Sequence, residues 1–167
     1  MRPAQLTGDL NAVGDTAALH AAALAFLCSQ KCAGGLILRS LDTAGDIAER
    51  DLTVVGGFHT SVERQFLKRI LRGKARAILC VARSLDRMRM RKEWRQPIDE
   101  GRMLILSPFS GTPHRPTRAT SRQRNRLVVS LAANVLIGHA EPDGMTEEAA
   151  QHAVDSGVPL YTLDDDP

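Results

Sequence analysis

Two short stretches carry residue types that could hold an anion. In TVVGGFHTSVERQ a β-branched run breaks into Gly56 and Gly57. It then passes Phe58 and His59 and meets Thr60 and Ser61 before the carboxylate of Glu63 and an amphipathic segment. Paired glycines let a backbone approach a ligand closely, and a helix that starts directly after them aims its free N–H groups at an anion. In TSRQRNRLVVSLAANVLIGHA, Arg124, Asn125 and Arg126 occupy the first turns of a second predicted helix. Guanidinium forks match phosphate oxygens, and an asparagine amide can address a sugar or a base edge. Arginines there oppose the helix dipole by a few tenths of a kcal/mol each, a cost that an acidic side chain or, better, a bound phosphate offsets. Arg124 precedes Leu127 and Val128 by three and four residues, so it shares their inward stripe. A third junction, EPDGMTEE, offers Gly144 and Thr146 at a helix start, among carboxylates that would repel a phosphate unless turned away.

Each feature also has a plainer reading. Thr60 and Glu63 have capping-box spacing, which assigns the carboxylate to holding the turn. A single histidine such as His59 or His139 is usually packed or solvated. Phe58 and Phe109 fall at strand ends, where a ring can stack on a base, although aromatic residues make up 4% of the chain and supply a long stacking track poorly.

These junctions need strands to end and helices to begin beside one another, and the apolar pattern supplies both. Short apolar runs start at Leu36, Thr53, Ala77, Met103, Val135 and Val158, and helical patterns fill residues 42–50, 61–72, 92–100, 120–132 and 146–156. Near-continuous apolar strands alternating with helices predict a parallel sheet covered on both faces. An arm over residues 1–13 and an N-terminal helix, from Asp15 or Thr16 through the alanine-rich run to Gln30, precede them. The expected fold is therefore α/β, a Rossmann-like three-layer domain over residues 14–167 with a mainly parallel sheet. Ligands of such sheets sit at the carboxyl ends of the strands. That rule adds Ser40, in the expected loop RSLD, to the candidate residues.

Composition sets the frame. The 167 residues are 43% hydrophobic and 25% charged, enough for one core in one domain. The net charge of +3 conceals segregation: residues 114–126 hold five arginines and no acid, whereas residues 141–166 hold eight acids and no Lys or Arg. A basic face favours polyanions such as nucleotides or nucleic acid. Three cysteines give no disulfide framework and suit a reducing cytoplasm. Cys28 and Cys32 have no matching Cys/His pair, so no metal is expected. The apolar run near the start is too short to span a bilayer, and its acidic leader is unlike an export signal.

With these loops in view, the chain resembles the DprA/Smf family of DNA-processing proteins, within the superfamily shared with the LOG (lysine decarboxylase-like) proteins. RNRLVVSLAANVLIGHA followed by DGMT is similar to the family's R-N-R-I-I-x-x-L-S-x-x-V-L-V-V-E-A and its Ser-Gly loop, with His139-Ala140 where the family has Glu-Ala. GRMLILSPF resembles the segment before it, VVGGFHTSVERQFLKRIL the glycine-rich turn, and LILRSLD the first strand with its Ser/Arg loop. The likeness covers about residues 36–163. It implies phosphate binding at Gly56, Gly57, Arg124, Asn125 and Gly144, single-stranded DNA as ligand, a role in DNA uptake and recombination, a recombinase partner and a homodimer, with no cofactor. The enzyme alternative is a LOG-like nucleoside monophosphate phosphoribohydrolase, using Glu63 or Glu147 as acid and base. GGFHTSVE and MRMRK partly echo LOG motifs, but in the reverse chain order, which favours binding over catalysis.

Overall fold

The runs TVVG, RAILC and MLILS are buried along almost their whole length because helices cover both faces of the sheet they build. The computed structural model of the chain describes residues 10–163. In order, its elements are β1 (Asn11–Val13), a 3₁₀ turn (Thr16–His20), β2 (Ala23–Cys28), α1 (Gly34–Ala48), β3 (Thr53–Gly56), α2 (Ser61–Ile70), β4 (Arg76–Cys80) and α3 (Lys92–Asp99). There follow β5 (Met103–Ser107), α4 (Arg118–Leu131), β6 (Ala132–His139), α5 (Met145–Asp155) and β7 (Leu160–Thr162). The strands form one sheet in the order β1-β5-β4-β3-β2-β6-β7. Only β1 runs antiparallel, against β5. No helix among the described residues is long and apolar enough to cross a membrane.

Two apolar clusters divide the core between the faces. Helices α1, α2 and α3 cover one face, around Phe26, Ile47, Phe66 and Ile70. Helices α4 and α5 cover the other, around Leu27, Val55, Val128 and Ala153. Strands β2 and β6 are neighbours, yet β2 leads to α1 on the first face and β6 to α5 on the second. Their carboxyl ends therefore form the crevice at which sheets of this kind take ligands.

The three-layer α/β class is the expected one, and two of the expected elements are corrected. No N-terminal helix spans residues 15–30. The stretch breaks into the 3₁₀ turn and β2, a central strand paired with both β3 and β6. Its alanines and leucines favour a helix in isolation, but pairing on both edges and burial on both faces override that preference. Residues 36–41, expected as the first strand and its loop, are helical instead. Ser40, Ala44, Ile47 and Ala48 recur at three- and four-residue spacing and are the buried side of α1. Of the expected arm, Asn11–Val13 forms the edge strand β1, and residues 1–9 lie outside the described residues.

The junction after β3 depends on how α2 is seated. Phe66 of α2 stacks on Phe26 of β2 with ring centroids 3.8 Å apart and planes 11° from parallel, and neither ring is exposed. Replacing Phe66 by alanine deletes a fully buried ring, and unfolding free energy should fall by about 3–5 kcal/mol in urea titrations. A loss below about 1 kcal/mol would show that the stack does not anchor the helix.

Candidate anion site at the carboxyl edge of the sheet

Thr60 caps α2 as the spacing predicts. Its hydroxyl accepts from the Glu63 N–H at 3.3 Å and donates to the Cys28 carbonyl at 2.9 Å, so one side chain ties the helix start to the end of β2. Glu63 is 1% exposed. Its Oε2 accepts from the Cys28 N–H at 2.9 Å, and its Oε1 from the His59 and Thr60 N–H groups at 3.1 and 3.3 Å. His59 Nδ1 lies 3.1 Å from the same Oε1. Burial alone would raise the Glu63 pKa. The His59 hydrogen bond and charge, the Cys28 N–H and the Arg124 charge together outweigh it and hold the carboxyl below its ordinary 4.5.

His59 stands between two charges. Its Nδ1 is also 3.3 Å from Arg124 Nη2. A guanidinium only donates and a carboxylate only accepts, so a proton on Nδ1 serves Glu63 and a bare Nδ1 serves Arg124. The ionised carboxylate favours the first arrangement, which leaves the Arg124 Nη2 donors available.

Arg124 lies on the inward side of α4 and is 3% exposed. Its Nε donates to Asn125 Oδ1 at 2.8 Å, and no carboxylate among the described residues comes within salt-bridge distance. Burial pulls its pKa below the ordinary guanidinium value, against the opposing charge of Glu63. The guanidinium rests on Gly57. A Cβ at that position would lie 2.6 Å from Nη1 and 2.7 Å from Cζ, so glycine leaves the space that the cation fills.

The loop after β2, which sequence reasoning missed, completes the edge. The Gln30 side-chain oxygen accepts from the Ser61 N–H at 3.1 Å. The Ser29 hydroxyl accepts from the Glu141 N–H at 2.8 Å, and its N–H donates to the His139 carbonyl. This loop thus bridges the β3–α2 and β6–α5 junctions. CSQK between an apolar run and Gly34-Gly35 was the available signal, hidden by the helical reading of the run before it. Three of the four acids of the third junction have partners. Glu147 accepts from the Asp143 N–H at 2.9 Å, Glu148 pairs with Arg122 at 3.1 Å, and Glu141 faces Lys31 at 3.8 Å.

The structure thus brings Gly56, Gly57, His59, Thr60 and Ser61 together with Arg124 and Asn125, and sets Gly144 and the buried Thr146 beyond Ser29. Three candidates stand apart. Phe58, at φ 45°, turns its ring inward over Gly56 and is 4% exposed, so it serves the core and offers no open face to a base. Ser40 is buried within α1 against the Gly138 backbone and is not on a loop. Arg126 is exposed on α4 and lines a shallow cleft beside Met145 and His152 of α5.

A carboxylate held ionised adds stability that is present above its unfolded-state pKa and is lost as pH falls through the lower folded value. Glu63→Gln should therefore cost about 2–4 kcal/mol at neutral pH, since three backbone donors lose a charged acceptor. The gap between variant and parent should narrow as urea titrations are taken below about pH 4.5, and a gap independent of pH would contradict the assignment.

Comparison with known proteins agrees with this architecture. A protein from Helicobacter pylori, described as DNA processing protein A with a unique single-stranded DNA binding mode, superposes with a TM-score of 0.77 at 24% identity, over 94% of this chain and 72% of that one. DNA processing protein A from Streptococcus pneumoniae gives 0.78 at 17% identity, over 94% of this chain and 55% of that one. The chain thus spans little more than half the length of the pneumococcal protein. A molybdenum cofactor binding protein from Rippkaea orientalis shares the fold more loosely, at a TM-score of 0.58 and 12% identity, over 87% of this chain and 78% of that one. At these identities the likeness concerns the fold. No curated protein sequence matches the chain. The profile of the DNA recombination-mediator protein A family matches residues 8–167, and the chain belongs to that family.

Proposed function

We propose that the chain binds single-stranded DNA in DNA processing and recombination, holding a phosphate of the strand at the carboxyl edge of the sheet. The observation that carries this reading is the state of Arg124. A guanidinium 3% exposed, with a neutral amide on Nε and no carboxylate among the described residues within salt-bridge distance, is costly unless an anion completes it. The glycine beneath it and the basic run from residue 114 to 126 favour a phosphate. The single-stranded DNA named for the H. pylori relative fits that chemistry. Binding fits better than hydrolysis, because Glu63 already accepts from three backbone N–H groups and Glu147 from one. Delivery of the strand to a recombinase by a homodimer belongs to the same reading.

Arg124→Ala should weaken binding of a labelled single-stranded oligonucleotide by at least about tenfold in anisotropy titrations, the effect of losing a charge-assisted bond. Gly57→Ala should act in the same direction by displacing the guanidinium, with the circular dichroism spectrum unchanged. Undiminished binding by both variants would exclude a phosphate at this site.

A further inference from the structure

A large cavity among the described residues lies clear of Arg124. It is a groove of about 1020 Å³ between α2 and α3, open at one end to Gly57 and His59. Five basic side chains line it against one acid, Glu93. Arg64 and Lys68 stand one turn apart on the same side of α2, about 6 Å from each other, and Arg72 follows in the turn just after the C-cap of that helix. Arg64 Nη1 donates to the His59 carbonyl at 2.9 Å and so stands at the mouth of the groove. Lys68 and Arg72 are exposed and form no ion pair among the described residues. Across the groove Arg91 lies over the ring of Trp94, its guanidinium carbon 5.3 Å from the centroid. Trp94 is partly buried and is the only tryptophan in the chain.

We infer that this groove carries the continuation of a single strand of nucleic acid whose phosphate is held at Arg124, an extension that rests on the strand-binding reading above. Lys68 and Arg72 meet successive phosphates beyond the sheet edge, and Trp94, backed by Arg91, stacks against one unpaired base. A row of cations alone would also suit an acidic peptide. The aromatic platform and the continuity with the sheet edge favour a strand, because every base has a face to stack and the backbone charge recurs at each step. A single platform supports little choice of sequence, so the groove adds affinity and length dependence without base preference.

The test uses the full chain, a labelled dinucleotide and an oligothymidylate of about 12 nucleotides, long enough to reach from the sheet edge along the groove. The long strand should quench Trp94 fluorescence and the dinucleotide should not. Replacing both Lys68 and Arg72 by alanine should weaken the long strand about tenfold or more, lower its log–log salt slope by about 1.4, and leave the dinucleotide Kd unchanged. Trp94→Ala should weaken the long strand about tenfold and Trp94→Phe by less than about threefold, which separates stacking from a packing defect. Arg124→Ala should weaken both ligands. If the wild-type chain binds both lengths equally and the double variant changes nothing, the groove is not a strand site, and the sheet-edge reading survives. If neither length binds, both readings fall. Quenching by polyglutamate at the concentration effective for the oligothymidylate would assign the groove to an acidic chain and overturn the proposal.

Discussion

One buried carboxylate organises the edge of this sheet. Glu63 takes hydrogen bonds from the end of β2 and from the loop that starts α2, so two strand-to-helix junctions share one acceptor. A buried carboxylate needs nearly all its lone pairs engaged, and here each donor that engages it also fixes a piece of backbone. The Thr60 hydroxyl closes the same circuit through the Cys28 carbonyl. Loosening any member would release the turn that carries Gly57 and His59.

Arg124 depends on that turn. Its guanidinium occupies the space that Gly57 leaves, and His59 stands between it and Glu63. The groups are arranged in series: carboxylate, imidazole, guanidinium. The Glu63 charge offsets only part of the cost of burying the cation, and the ring stands where a direct pair would form. A direct ion pair would have occupied the guanidinium donors with the Glu63 carboxylate; separation by a ring leaves no carboxylate among the described residues paired with Arg124.

Much of this was legible in the sequence, and the reasons differ by residue. The capping box at Thr60 and Glu63, the inward stripe of Arg124, Leu127 and Val128, and the apolar strands from β3 onward are local patterns, each set by spacing along a few residues. The errors fell where local preference and tertiary environment disagreed. Ala23–Cys28 has helix-forming composition and is a strand because neighbours pair along both of its edges. Residues 36–41 look strand-like because Leu36, Ile37 and Leu38 run together, yet Leu38 is exposed and the buried side of the segment is Ser40, Ala44 and Ile47. That double error hid the Ser29-Gln30 loop, which bridges the other two junctions. Phe58 was misplaced for a related reason: strand-end position says nothing about a ring whose backbone sits at φ 45° and folds it inward.

The sequence by itself determined the class of fold, the capped start of α2 and the presence of an arginine-rich helix start, because periodicity, capping and composition act over one or two turns. Tertiary structure decided which arginine is buried at the sheet edge. Arg124 and Arg126 are two residues apart and chemically identical, but 3.6 residues per turn sends one under the sheet edge onto Gly57 and the other to solvent. It also decided that β2 and β6 lie side by side with their helices on opposite faces, an adjacency between residues more than a hundred positions apart. No local pattern encodes that adjacency, since it follows from how the whole sheet is ordered.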